Sequence, residues 1–206
     1  MNNNVDERMI ECFLGEIKRQ CEYVFTSVNI LNDSLGSNGN TQGVFYALQN
    51  MFTSLGNISK ILYPTVNYRA RGCALRDKLE IKEDTQFFYK ADSEVARKYR
   101  NILEHYDEYF EDWYRNEENN IICECNVGPR NMIMIGDKPD KTLRHYDNVT
   151  HSFIFLDDEY SLLPVIRETE EIYNKILEIE GERFGYRQEW NSRNSKCNWL
   201  GHFCWI

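Results

Sequence analysis

The sequence predicts a mainly α-helical protein, a helical bundle of about five helices with a small antiparallel β insertion before the last helix. Three observations lead there. Apolar residues recur at steps of three and four over long stretches at both ends of the chain. Between residues 121 and 156 that period gives way to short β-prone runs split by turn signals. The chain has 206 residues, 42% of them hydrophobic and 14% aromatic, which is enough for one sizeable core and unlike a disordered composition.

The first helix is expected over residues 5–32, where Ile10, Phe13, Ile17, Cys21, Val24, Val28 and Leu31 share one stripe. Asn32 to Asn40 is rich in Asn, Ser, Gly and Asp and reads as a loop. A second helix follows over 41–62, with Val44, Leu48, Phe52, Leu55 and Ile58 inward and Pro64 as its stop. Two long helices joined by a short polar loop should lie antiparallel. Arg69 to Leu79 suggests a shorter helix. Another is expected over 93–115, with Ser93 as N-cap and Val95, Tyr99, Ile102, Tyr106, Phe110 and Trp113 on its apolar side.

Ile121–Val127, Asn131–Ile135, Thr142–Tyr146 and Ser152–Leu156 are the expected strands, forming an antiparallel sheet of three or four. The helical period returns over 161–180 through Leu162, Val165, Thr169, Ile172, Ile176 and Ile179, and Gly181 is its expected end. Residues 1–181 therefore read as one domain. Residues 182–206 form an aromatic tail in which Tyr186, Trp190, Trp199, Phe203 and Trp205 should dock on the bundle or on a partner.

Charge and cysteine usage narrow the function classes. The net charge of -9 argues against a protein that binds nucleic acid over its whole surface, so any RNA contact must be local. No apolar run has the length of a membrane span, and the first residues carry no secretory pattern. Seven scattered cysteines then read as reduced thiols, and the expected location is cytoplasmic.

The segment richest in chemistry is Arg100 to Glu108, RNILEHYDE. On a helix, Asn101, His105, Glu108 and Asp112 share one ridge, and Arg100, Glu104, Asp107 and Glu111 share another. Arg100 and His105 then diverge by roughly 140°. Histidine exchanges protons near neutrality, and arginine is a fixed forked cation suited to phosphate. RNA carries its own nucleophile in the 2′-OH. A His base and an Arg against the phosphorane charge would suffice without metal. One helix cannot easily aim both groups at one phosphate, whereas two antiparallel copies across a dimer can. The same residues also fit plain helix-surface chemistry: Arg100 paired with Glu104, and His105 bonded to Asp112 or Glu108.

Arg-x4-His on a helix, with Asn directly after the Arg, resembles the motif of HEPN domains. Active members of that family are helical-bundle ribonucleases that work as dimers, and some are toxins paired with protein antitoxins. The extended pattern RN-x2-EH-x-DE, then a strand segment (RHYDNVTHSFIFL) and a closing helix, is similar to an uncharacterised bacterial branch, over about residues 5–180. The resemblance implies Arg100, Asn101 and His105 as catalytic residues, and Glu104, Asp107 and Glu108 as substrate contacts. It implies RNA as substrate, a homodimer, a possible antitoxin partner, a toxin–antitoxin or phage-defence setting and no cofactor. The alternative from a different class is a non-catalytic HEPN-like module that binds a protein partner through this ridge and the tail.

Weaker constellations remain. Arg144 and His151 also fit Arg-x4-6-His, but in a strand region. Cys123 and Cys125 with His145 and His151 match zinc spacing poorly, as do Cys197, His202 and Cys204, so packed thiols without metal are expected. Arg69, Arg71 and Arg76 could form a local phosphate patch, but a solvated face is the expected reading, with Arg76 and Glu80 as a helical pair. The sequence contains no Walker A loop, Rossmann glycine fingerprint, GxSxG or HExxH.

Overall fold

A computed structural model describes residues 6–36, 39–81, 105–115, 123–132, 134–135, 138–139, 142–156 and 158–184. Among them five α-helices appear: α1 Glu7–Gly36, α2 Thr41–Leu62, α3 Arg69–Lys78, α4 Tyr106–Arg115 and α5 Leu162–Phe184. The strands are β1 Cys123–Val127, β2 Met134–Ile135, β3 Lys138–Pro139, β4 Thr142–Asp147, β5 Ser152–Phe155 and β6 Asp158–Ser161. The chain is thus mostly helical, with a small sheet before the final helix.

α1 and α2 pack along their lengths. Asn57 donates to the Gln20 side chain at 3.3 Å, while Gly43 lies against Ser34. These contacts pair early residues of one helix with late residues of the other, so the two run antiparallel. α1 extends beyond the expected end at residue 32. Leu31, Ser34 and Leu35 continue the three-and-four spacing and pack inward, and that burial outweighs the turn-prone composition of the segment. The buried face of α1 is also wider than the expected stripe, because Leu14 and Phe25 join it. At the start of α2 the Asn40 side chain accepts from the Gly43 N–H at 3.0 Å, an N-cap.

α5 closes the bundle on α1. Phe25 meets Tyr173 edge to face at 5.4 Å, and Lys18 pairs with Glu180 at 2.6 Å. The helix continues past Gly181 to Phe184, so the glycine does not end it. α3 sits beside the C-terminal end of α2, where a Cβ at Gly72 would run into the Pro64 ring and the Leu62 carbonyl. Arg69 is exposed as expected, but Arg71 and Arg76 are half-buried rather than part of a solvated face. Arg71 stacks over Phe13 at 4.2 Å and Arg76 over Tyr63 at 4.6 Å, and Arg76 also donates to the Leu62 carbonyl at the end of α2. Glu80 pairs with Lys175 of α5 at 2.9 Å rather than with Arg76.

The main sheet has the order β1-β4-β5-β6, and β2-β3 form a separate two-stranded ribbon. β4-β5 and β5-β6 are antiparallel, but β1 pairs parallel to β4, against the all-antiparallel expectation. A parallel pair needs a crossover of roughly a dozen residues or more. Residues 128–141, which include the small ribbon, supply it. The register places Cys125, Arg144 and Phe155 on one face, with Val127, Tyr146, Phe153 and Tyr160. Asn126, His145 and Ile154 lie on the other. The first face packs on α2: Phe153 contacts Phe45 at 6.0 Å and Phe52 at 5.8 Å, and Tyr160 meets Phe52 at 6.4 Å. Among the described residues, no helix is long and apolar enough to cross a membrane.

Candidate functional site

The site expected from the sequence centres on α4. This helix has one aromatic side and one acidic side. Tyr106 stacks on Phe110 at 5.6 Å, Phe110 on Trp113 at 6.3 Å, and Trp113 is buried. The Arg144 guanidinium lies 5.2 Å from the Tyr106 ring centre and 5.6 Å from that of Phe155, joining α4 to the sheet through two cation–π contacts. Arg144 is therefore engaged under α4, while His151 contacts the Tyr146 hydroxyl at 3.1 Å, so the two residues of the second Arg-x6-His match serve different contacts.

The opposite side of α4 carries Asp107, Glu108, Glu111 and Asp112, all exposed, with Glu111 paired to Arg115. His105 stands at the start of this helix, and its carbonyl accepts from the Tyr109 N–H at 3.2 Å. Its side chain is 57% exposed, with Nδ1 3.7 Å from Glu108. The acidic neighbour it meets is thus Glu108 rather than Asp112. The helix brings His105 and Glu108 together, while Asp107, two positions on, is exposed on a different ridge. Arg100, Asn101 and Glu104 lie outside the described residues, as do residues 93–104 of the expected helix, the tail and Cys197, His202 and Cys204.

A second polar cluster, at the end of β4, was not foreseen as a unit. Asp147 is buried and accepts three backbone N–H groups, from Arg130 at 3.0 Å, Val149 at 2.7 Å and Thr150 at 3.2 Å. It thereby ties the loop after β1 to the turn between β4 and β5. Burial alone would raise its carboxyl pKa, but those N–H groups and nearby His145 outweigh it and hold the pKa below the ordinary value. His145 is 1% exposed, with Nδ1 3.0 Å from the Asn126 amide and, among the described residues, no hydrogen-bond partner for Nε2. Burial, helped by Arg130, pushes its pKa down. Burial does the same to His151, against the pull of Asp147. The sequence signal for this cluster was the DNVT run, since an Asp whose side chain bonds backbone two and three residues on is a turn device.

The pleat also separates the Cys125 thiol from the buried imidazole. Cys125 pairs with Arg144, whereas His145 pairs with Asn126, so Cys125 and His145 point to opposite faces. Among the described residues no group of three or more His, Cys, Asp or Glu is placed to hold a metal ion.

These groups make stability depend on pH in a definite direction. His145 and His151 bind protons less well in the fold than in the unfolded chain, so stability falls as pH drops below about 6.5, the ordinary histidine value. Asp147 adds stability that is complete above the ordinary carboxylate range, near pH 4, and is lost as pH falls through its lower folded value. Urea midpoints should therefore decrease between about pH 7.5 and 5.5 and decrease further in stronger acid. A midpoint flat over the upper interval would contradict buried neutral imidazoles.

No family model, curated protein or solved structure matches the chain.

Proposed function

We propose that this protein is a metal-independent endoribonuclease of the HEPN type. The observation that supports it most directly is the accessibility of His105. It stands in open solvent at the start of a helix whose other side is locked to the sheet through Arg144. A general base must be reachable by its substrate and held by a rigid element, and His105 meets both needs. In this reading His105 takes the proton of the 2′-OH, and the 2′-oxygen attacks the adjacent phosphorus. The bond to the 5′-oxygen breaks, and that oxygen leaves with a proton. The products are a 2′,3′-cyclic phosphate and a 5′-hydroxyl. Arg100 offsets the phosphorane charge and Asn101 positions an oxygen, as the resemblance implies. Glu104, Asp107 and Glu108 flank the substrate. A cytoplasmic toxin or phage-defence nuclease held in check by a protein antitoxin is the setting that follows.

On the helix expected from the sequence Arg100 and His105 diverge by roughly 140°, so the proposal includes a homodimer that pools Arg from one copy and His from the other. Light scattering at micromolar concentration should report twice the chain mass. A clean monomer that still cleaves RNA would remove the pooled site. The enzyme test is cleavage of single-stranded RNA in EDTA with analysis of product ends; absence of cyclic phosphate above the background of a His105→Ala control overturns the proposal.

A second reading is a non-catalytic protein-binding module. It is favoured by the acidic side of α4, where Tyr109 is 44% and Tyr114 59% exposed among the carboxylates. In that case His105 and its neighbours contact a basic partner, and wild type shows no RNA cleavage.

A further inference from the structure

Charge is unevenly placed along this chain. It carries 33 Asp and Glu in 206 residues, yet none falls between Ser34 and Arg76. The cations of that stretch are Lys60, Arg69, Arg71 and Arg76, within a chain of net charge -9. A polyanion approaching this protein would therefore meet the least repulsion there. The stretch folds as α2, a 3-10 turn at Val66–Tyr68 and α3.

The corner between α2 and α3 sets cations beside exposed apolar groups. Residues 65–70 are all exposed, with Val66 at 85% and Tyr68 at 61%. The Arg71 guanidinium lies 4.2 Å from the centre of the Phe13 ring and 5.5 Å from that of Tyr68. Two rings thus fix a cation in place, and most of the Tyr68 ring still faces solvent. Among the described residues neither Arg69 nor Arg71 forms an ion pair. The pair that α3 does form, Lys78 with Glu7 at 2.8 Å, stands at its other end.

This combination suits one kind of ligand. An exposed ring takes a stacked base, and guanidinium groups beside it take the phosphates that flank that base. Stacking on a side chain needs a base free of its partner strand, so the ligand is single-stranded. We propose that the α2–α3 corner binds single-stranded RNA through Tyr68, Arg69 and Arg71. The choice of RNA rests on the nuclease reading, whereas the charge and the ring exposure do not. The corner also answers a difficulty of that reading. The exposed side of α4 is acidic and repels a polyanion, and a basic contact on other elements offsets that repulsion.

Fluorescence anisotropy of a short labelled single-stranded RNA of mixed sequence tests this, with His105→Ala as the parent protein so that the RNA stays whole. Tyr68 and Arg69 are exposed, so their substitution leaves the fold intact. Tyr68→Ala should weaken binding about tenfold without changing its salt dependence, while Tyr68→Phe should match the parent, because the stacking surface remains. Arg69→Ala should weaken binding several-fold and reduce the slope of log affinity against log salt by about 0.7, the mark of one lost phosphate contact. Arg167→Ala, which removes an exposed cation from α5, is the control and should bind as the parent does. No measurable binding by the parent, unchanged affinity in Tyr68→Ala, or an equal loss in Arg167→Ala would each overturn the proposal. Cleavage is scored separately on protein that retains His105. Binding that depends on Tyr68 and Arg69 without any cleavage would sink the nuclease reading alone. Cleavage at subsaturating RNA that persists unchanged in Tyr68→Ala and Arg69→Ala would sink the RNA-binding corner alone.

Discussion

His105→Ala is expected to lower RNA cleavage by roughly 10²- to 10⁴-fold, the usual cost of removing a proton-transfer group. The fold should not notice. The side chain is 57% exposed, and among the described residues it pairs with an exposed Glu108 at 3.7 Å, the kind of surface pair that contributes little to stability. Melting temperatures of wild type and variant should therefore agree, which makes the rate a clean report on chemistry. Arg100→Ala should also be severe, since it removes the cation that offsets the phosphorane. Cleavage should survive EDTA, because the attacking group belongs to the RNA. The control matters because contaminating ribonucleases also work without metal. Equal activity in wild type and His105→Ala, with matched stability, would leave His105 as a surface histidine tied to Glu108 and would favour the protein-binding module.

Phe52→Ala should produce the largest loss of stability, about 3–5 kcal/mol. Phe52 is 1% exposed and stands where helix meets sheet, stacked on Phe153 of β5 at 5.8 Å and edge-on to Tyr160 of β6 at 6.4 Å. Truncation removes its burial and also leaves a void shared by two elements that cannot both close on it, since β5 and β6 are held by their own ladder. Equilibrium urea unfolding monitored by circular dichroism would measure it. A loss under about 1 kcal/mol would mean that the sheet packs on α2 more loosely than these ring contacts imply.

These two residues differ in how far the sequence alone could place them. Phe52 lay on a five-residue apolar stripe of α2, and every member of that stripe is buried. His105 was picked out by its residue type and its spacing from Arg100. The sequence gives no account of its exposure, since a helical histidine beside an apolar stripe can face either way. Its orientation follows from the aromatic side of α4, where Tyr106, Phe110 and Trp113 turn toward the core and leave the neighbouring ridge in water.

Most elements came from the sequence: long helices at both ends of the chain, a β-prone interval before the last one, and the inward residues of the described stripes; β6 lies outside the expected interval of residues 121–156. Periodicity is a local property, fixed by which side chains recur every 3.6 or two positions, and so it can be read without knowing what lies opposite. The tertiary structure decided the partners. It set the parallel pairing of β1 with β4, which depends on the route of residues 128–141 rather than on either strand. It carried α1 on to Gly36, because Ser34 and Leu35 found a surface to pack against. It laid Arg71, Arg76 and Arg144, each half-buried, onto aromatic rings contributed by other elements. It gathered buried Asp147 and His145 with half-buried Arg130 and Asn126 into one polar cluster. It also left a groove among three helices that are far apart in the chain. Each of these depends on which non-adjacent residues meet once the chain has closed. The cost of ordering a long loop or desolvating an arginine is offset only by a partner that no local pattern specifies.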